Sequence, residues 1–319
     1  MTALTVLPGG GETDHAWSVC TLCGVAHHGA CRILSRHLDW MSLRGLSATT
    51  IYARRGALRR LGAALPVPVL DATAADLYEW RAHLGCAAQT TLQAVSSAKQ
   101  FYAWAVAEGL RSDNPAGRLP VPRPPRMLPR PISEEDLMAA LEQAPPRIRP
   151  WIALAAWCGL RAKEVAFLRA ENIHVANDPP VLLVASDATK GSRERLIPLS
   201  AFVVAELAAA KLPSRGYAFR RHDGASGPNA PWLVSHLASD FLRDCGIPAT
   251  LHSMRHRFAS RTYQASKDIR AVQSLMGHVS PEVTSAYAAY SDTAHGGCRG
   301  AARPPGLVVI FRQVPPRLH

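Results

Sequence analysis

Between Pro115 and Pro131 the chain reads PAGRLPVPRPPRMLPRP, and seven of these seventeen residues are proline. Proline removes a backbone donor and fixes φ, so neither a helix nor a central strand can run through such a stretch. Its other residues are too polar to form a core, which makes it a semi-rigid spacer. The 319 residues are thereby split into two parts, each long enough to bury a core of its own. The expected organisation is a Gly-rich then Cys/His-rich extension over 1–31, a helical domain over 32–118, the Pro/Arg-rich linker over 119–131, a second domain over 132–291 and a poorly ordered tail over 292–319.

The first domain reads as all-α. ILSRHLDWMSL carries Leu34, Leu38 and Met41 at helical spacing, and LSATTIYARRGALRRLGAAL follows with Ser47 placed to cap a helix. In DATAADLYEWRAHL, Thr73 and Asp76 have the spacing of a capping box, with Asp where Glu is usual. The longest helix, TTLQAVSSAKQFYAWAVAEGL, sets Leu92, Val95, Phe101, Tyr102 and Ala105 on one side and stops at Gly109.

The second domain is mainly helical with one small β region. It opens at ISEEDLMAALEQA, where Ser133 and Asp136 repeat the capping spacing, and continues with a helical pair, IRPWIALAAWCG and LRAKEVAFLRAENI. The apolar runs Val181 to Val184 and Leu196 to Leu199 flank a polar, basic turn, which predicts a β-hairpin or short sheet. Helices return in AFVVAELAAAKL, PWLVSHLASDFLRDCG, LHSMRHRFASRTYQ and SKDIRAVQSLMG. From Asp292 the helical period is lost, and LVVIF is at most a short strand.

No apolar run approaches the ~18 residues of a membrane span, and the start lacks a basic end leading into an apolar stretch, so a cytoplasmic protein with no membrane partner is expected. Seven cysteines, an odd number, argue against a disulfide framework. The formal net charge is +12, supplied far more by arginine than by lysine. Arginine's planar fork suits phosphate, so a polyanionic partner, most simply nucleic acid, is expected, although an Arg-rich proteome produces the same composition. The linker residues Arg118, Arg123, Arg126 and Arg130 are either phosphate contacts or plain solvated charges.

Chemistry concentrates in four places. Arg161 lies in GLRAKE after a Gly-marked turn, Lys190 in TKGSRER within the hairpin, and His252 and Arg255 one helical turn apart in HSMRH. His278 follows in MGH, with Tyr287 nine residues on. Arginines neutralise the non-bridging oxygens of a phosphodiester, a lysine can protonate a leaving oxygen, and a tyrosine can be a covalent nucleophile. With a pKa of about 10, only roughly a thousandth of a free tyrosine is ionised at neutral pH, so it needs a base or a cationic neighbourhood. Each residue alone has an ordinary structural explanation; the joint order and spacing carry the functional reading. Tyr290 lies one turn past Tyr287 in a segment that Ser280 and Pro281 can start as a helix, so both can face the same way and chemistry alone does not choose between them.

That order resembles the tyrosine recombinase family of phage integrases and Xer-type enzymes over about residues 32–290. The family's TGLR-x-x-E appears as CGLRAKE with Arg161 and Glu164, and its hairpin lysine falls on Lys190 in KGSRERLIPL. HSMRHRFAS supplies His252, Arg255 and His256, and MGHVSPEVTSAY supplies His278 and Tyr287. The resemblance implies a SAM-like helical core-binding domain and a catalytic domain that together clamp double-stranded DNA. It implies attack by Tyr287 to form a 3′-phosphotyrosyl link, oxygens held by Arg161 and Arg255, a proton from Lys190 to the leaving 5′-oxygen, help from His252, a phosphate contact from His278, and structural support from Glu164 and His256. No cofactor, ATP or metal is implied. A homo-tetramer exchanging strands pairwise is expected, with accessory or directionality proteins as further partners.

Departures are modest within the motifs. Met254 and Met276 stand where leucines are usual, and Arg257 replaces a small hydroxyl residue, adding charge beside Arg255. The tail AHGGCRGAARPP is poorly suited to the helix with which family members commonly dock on a neighbour. Two rival readings are a DNA-binding relative that has lost cleavage and a type IB topoisomerase-like relaxing enzyme. CTLCGVAHHGAC offers Cys20, Cys23, His28 and Cys31 as a zinc set, but its last spacer is shorter than in a zinc knuckle, and plain thiols are the preferred reading.

Overall fold

The computed structural model describes residues 18–21, 26–27, 31–125, 128–185, 194–221 and 223–277. The chain divides into two compact units, Met1–Arg126 and Met127–His319.

The first unit is a helical cluster built on α1 (Arg32–Leu43), α2 (Ala48–Ala64), α3 (Ala74–Ala82) and α4 (Ala88–Ala107). Side-chain caps set two of the starts: Ser47 Oγ accepts the Thr50 amide at 3.3 Å, and Thr73 and Asp76 complete a reciprocal box. α4 is the central element because Val95, Ala98, Phe101, Tyr102 and Ala105 recur on one face and are buried. Each large apolar side chain withdrawn from water there contributes roughly 1.5–3 kcal/mol. Tyr102 is anchored by its hydroxyl, which donates to the Val69 carbonyl at 2.6 Å. In α1 the innermost residues are His37 and Met41, with Leu34 and Leu38 only half-buried.

A two-stranded antiparallel ribbon, β1 (Ser18–Val19) with β2 (Ala26–His27), precedes α1. Its turn residue Thr21 accepts the Val69 amide at 2.9 Å, and a Cβ on Gly62 of α2 would come within 2.8 Å of Thr21 Oγ1. Cys31 is buried and Cys20 half-buried against the same core. The end of the stretch read as an extension is therefore docked on the core. At the other end of the unit, Tyr78 Oη donates to the Arg118 carbonyl at 3.0 Å, and Ala116 and Leu119, the latter the first residue of the expected linker, are buried.

The second unit is organised around α6 (Arg149–Cys158), a helix apolar nearly all round, with Trp151, Ile152, Leu154, Ala155, Ala156 and Cys158 buried. Around it pack α5 (Glu134–Gln143), α7 (Ala162–Ala166), α8 (Ala201–Ala209) and α10 (Leu251–Ser266), while α9 (Pro231–Asp244) lies on α7 and α11 (Ile269–Met276) on α10. An antiparallel sheet runs β3 (Ile173–His174), β4 (Val181–Val184), β5 (Arg195–Pro198), so the expected hairpin gains a third strand.

One expected helix is cut short. LRAKEVAFLRAENI makes only the five residues of α7, then a 3₁₀ turn over Ala170–Asn172 and β3. The reason is long-range pairing: the Ala218 amide donates to the Leu168 carbonyl at 2.7 Å, the Ala170 amide to Gly216 at 2.8 Å, and Arg169 bridges Tyr217. Those bonds take the backbone groups a helix would have used. Among the described residues no helix is long and apolar enough to cross a membrane.

Candidate active site

Gly159 ends α6 in the left-handed region at φ 65°, where glycine is favoured. It is also pressed by Phe258 of α10, whose ring would collide with a Cβ at that position. The chain then turns so that Arg161 is the N-cap residue of α7. Glu164, one turn into α7, accepts the Arg161 amide at 2.9 Å and Arg161 Nη1 at 2.9 Å. The motif CGLRAKE is thus a helix stop, a turn and a helix start that hold one arginine against one carboxylate.

That carboxylate is the centre of the site. Glu164 is buried, and besides Arg161 it receives Arg195 of β5 through Nη1 at 3.1 Å and Nη2 at 2.8 Å, while Arg255 Nη1 of α10 stands 3.6 Å away. Burial pushes the Glu164 carboxyl up, but the hydrogen bonds and charge of Arg195, the charge of Arg255 and the Arg161 amide outweigh it and hold it below the usual range. Arg255, only 1% exposed, donates Nη1 to the Gly159 carbonyl and Nη2 to the Met276 carbonyl at 2.6 Å. Arg161 keeps its side chain 32% exposed. Three guanidinium groups share one carboxylate, which leaves an excess of fixed positive charge with one arginine open to solvent. Such a site favours an anion.

The histidines stand on the same helix. α10 starts at Thr250, whose hydroxyl accepts the Ser253 amide at 3.3 Å, and the next turn presents His252, Arg255 and His256. The His252 and His256 rings meet edge to face with centroids 4.3 Å apart. His252 is open to solvent on one side and packed on the other; that desolvation, then Arg255 and Arg161, lowers its pKa. His256 is pushed down to about 4 by burial, then His252 and Arg255. Both rings are neutral at pH 7, so His252 can accept a proton.

The structure brings together Arg161, Glu164, His252, Arg255 and His256. Lys190, His278 and Tyr287 lie outside the described residues. So do Cys23, His28, Tyr290 and the tail with its LVVIF segment; among the described residues no group of three or more His, Cys, Asp or Glu side chains is placed to hold a metal ion.

Two findings differ from the sequence reading. Arg257 does not add charge beside Arg255. Two residues on along a helix, it faces the opposite way, donates Nε and Nη2 to both Glu134 oxygens at 2.7 Å and Nη1 to Ala156 O at 2.9 Å, and stacks over Trp157 at 4.7 Å. Arg195 lies within KGSRERLIPL, but nothing in that stretch singles it out. In β5 Arg195 is 7% exposed and Leu196 57%, because the register puts Arg195 and Ile197 on the core face.

Comparison with known proteins agrees with this architecture. The model of the phage integrase family matches residues 131–294, and that of the phage integrase N-terminal SAM-like domain matches residues 34–109. Tyrosine recombinase XerD of Rhizobium meliloti is 32% identical over 291 residues, covering 78% of this chain and 88% of its own length. Tyrosine recombinase XerC of Chromobacterium violaceum is 29% identical over 302 residues, covering 85% of this chain and 97% of its own. In fold, the chain is similar to a lambda integrase dimer bound to a COC′ core site, with a TM-score of 0.62 at 20% identity over 85% of this chain and 79% of that one. It is also similar to XerH site-specific recombinase bound to difH substrate, with a TM-score of 0.62 at 18% identity over 83% and 84%. A catalytic-region match across half of the sequence, together with relatives aligned through both domains, makes this chain a member of the phage integrase family of tyrosine recombinases.

Proposed function

We propose that Tyr287 is the nucleophile of this tyrosine-type site-specific recombinase, which cleaves and rejoins DNA. Its phenolic oxygen attacks the scissile phosphorus, the bond from phosphorus to the 5′-oxygen breaks, and the enzyme is left joined to the 3′-phosphate. The tyrosine proton passes to His252, and Lys190 supplies the proton that the departing 5′-oxygen takes up. Arg161 and Arg255 hold the non-bridging oxygens, with His278 as a further donor. Rejoining is the reverse, with a 5′-hydroxyl from the partner strand attacking the phosphotyrosine.

The observation that supports this reading is the buried Glu164 shared by Arg161, Arg195 and Arg255. One carboxylate under three guanidinium groups holds them rigid without cancelling them, and preorganised charge of that kind acts where negative charge grows in the transition state. In the N-terminal unit, Arg54, Arg55, Arg59 and Arg60 of α2 line a groove of about 1850 Å³ together with Tyr52. Burial, then the charge of Arg44, lowers the pKa of Arg54. That surface suits a phosphate backbone, and binding is expected to weaken steeply with salt. Four protomers acting pairwise through a Holliday junction, in the cytoplasm and with accessory proteins setting direction, complete the proposal.

The test is a nicked suicide duplex. Wild-type protein is expected to accumulate a covalent protein–DNA adduct and Tyr287→Phe to form none; an adduct formed by the variant would put the nucleophile elsewhere.

A further inference from the structure

We infer that Arg195 is a positioning residue of the recombination site, and that its partner is the backbone turn at Gly277. The inference rests on the reading of this chain as a recombinase. Arg195 stands on the core face of β5, and its guanidinium uses every edge: Nε donates to the Leu275 carbonyl at 2.8 Å, and Nη1 and Nη2 donate to the two Glu164 oxygens. One side chain thus ties three segments: β5, which follows the stretch containing Lys190; α7, which opens with Arg161; and the end of α11, which leads in sequence to His278.

The fit at α11 is close on both sides. Gly277 ends the helix at φ 59°, and a Cβ there would lie 2.9 Å from Arg195 Nη1 and 3.3 Å from Cζ. The guanidinium fills the space that any other residue would claim. The last carbonyls of α11 carry the negative end of the helix dipole, and they are met by two arginines, Arg195 at Leu275 and Arg255 at Met276. The same two arginines meet again at Glu164. A displacement of Arg195 therefore moves the carboxylate that orients Arg161, the neighbour of Arg255 and the exit of α11 together. Arg195 touches no reacting atom in this account; it sets where those groups stand.

Lysine in place of Arg195 separates this role from simple charge balance. Its ammonium keeps the positive charge opposite Glu164 but lacks the planar fork that reaches Glu164 and Leu275 at once. The experiment compares wild type, Tyr287→Phe, Arg195→Lys and Gly277→Ala in duplex affinity and in single-turnover adduct formation at saturating DNA, on the nicked suicide duplex carrying the cleavage site mapped for the wild type. Arg195→Lys is expected to bind within about threefold of wild type and to form adduct about 100-fold more slowly, the size of effect that a 1 Å misplacement produces. Gly277→Ala, which pushes on the same guanidinium from α11, is expected to show the same split. A structural role alone would lower the folded fraction and move binding and cleavage together.

Adduct formation by Arg195→Lys at the wild-type rate overturns the inference, as does a proportional loss of binding and cleavage. Should Arg195→Lys not fold, Gly277→Ala decides: a wild-type rate sinks the proposal, and slow cleavage with intact binding sustains it. A wild type that forms no adduct at all would instead remove the reading of an active recombinase, and this inference with it, whereas an adduct that Tyr287→Phe also forms moves only the nucleophile and leaves the Arg195→Lys comparison to decide.

Discussion

Arg255 and Arg257 lie two residues apart on α10, and both are buried, 1% and 8% exposed, yet they serve opposite ends. Arg257 has two carboxylate oxygens of Glu134, the Ala156 carbonyl and the face of Trp157. Arg261 Nη2 also reaches Glu134 at 3.2 Å, and Arg257 ties α10 to α5 and α6. Arg255 shares Glu164 with Arg161 and Arg195, and it also donates to the neutral carbonyls of Gly159 and Met276. Burial therefore does not separate the two: Glu134 takes two arginines and is held by both edges of Arg257, whereas three guanidinium groups divide Glu164, which leaves the larger excess of positive charge there.

The largest effect that can break this comparison is on cleavage. Arg255→Lys is expected to slow adduct formation by about 100- to 1000-fold, since a single ammonium cannot hold the Gly159 and Met276 carbonyls and also face a phosphate. Single-turnover rates at saturating DNA measure it. Loss no greater than that of Arg257→Met would erase the distinction between the two arginines.

Next comes a group buried with no counter-charge. His37 sits among Trp40, Phe101 and Trp104 with ring centroids 5.5, 5.3 and 4.7 Å away, and its Nδ1 has no hydrogen-bond partner among the described residues. Burial, then the charge of Arg54, lowers its pKa from 6.5 to about 4. The unfolded chain then binds the proton more readily, so stability is complete above the unfolded value and is lost as pH falls from 6.5 towards 4. The loss is about 3 kcal/mol at its limit, well below pH 4. Urea titrations of the protein at pH 7 and pH 4.5 should show it in the N-terminal transition, and His37→Phe should reduce the difference. An undiminished difference in that variant would assign the acid sensitivity to other groups.

The smallest effect sharpens the contrast from the structural side. Arg257→Met is expected to lower stability by about 2 kcal/mol through lost charge-assisted hydrogen bonds. Adduct formation at a temperature where the variant remains folded should stay within a few-fold of wild type. A hundredfold loss there would mean that the α10–α5 tie also aims the site.

Much of this was legible because it is local. The caps at Ser47, Thr73 and Ser133 depend on a hydroxyl and an amide three residues on, and each of the three hydroxyls accepts that amide. The grouping of His252, Arg255 and His256 follows from one helix turn, and that of Arg161 with Glu164 from the start of another. The end of the helix expected through LRAKEVAFLRAENI was not legible, because its competitor is a strand-like pairing with Gly216, Tyr217 and Ala218, far along the chain. The depth of His37 was not legible either: the period of α1 offers Leu34, Leu38 and Met41 to the core, and only the crowd of α4 aromatics explains why the imidazole goes as deep as Met41 and deeper than the two leucines.

By itself, then, the sequence determined the division at the proline-rich stretch, the helical character of both parts, and the order of the groups that mark the family. Those properties arise from backbone restrictions and from spacings within a few residues. Only the tertiary structure decided that Arg195 turns inward while Leu196 faces solvent, that Arg257 turns away from Arg255, and that three arginines converge on Glu164. Charge is placed by whichever neighbours the fold brings within a few ångströms, and those neighbours come from β5, α7 and α10, segments that the sequence keeps apart.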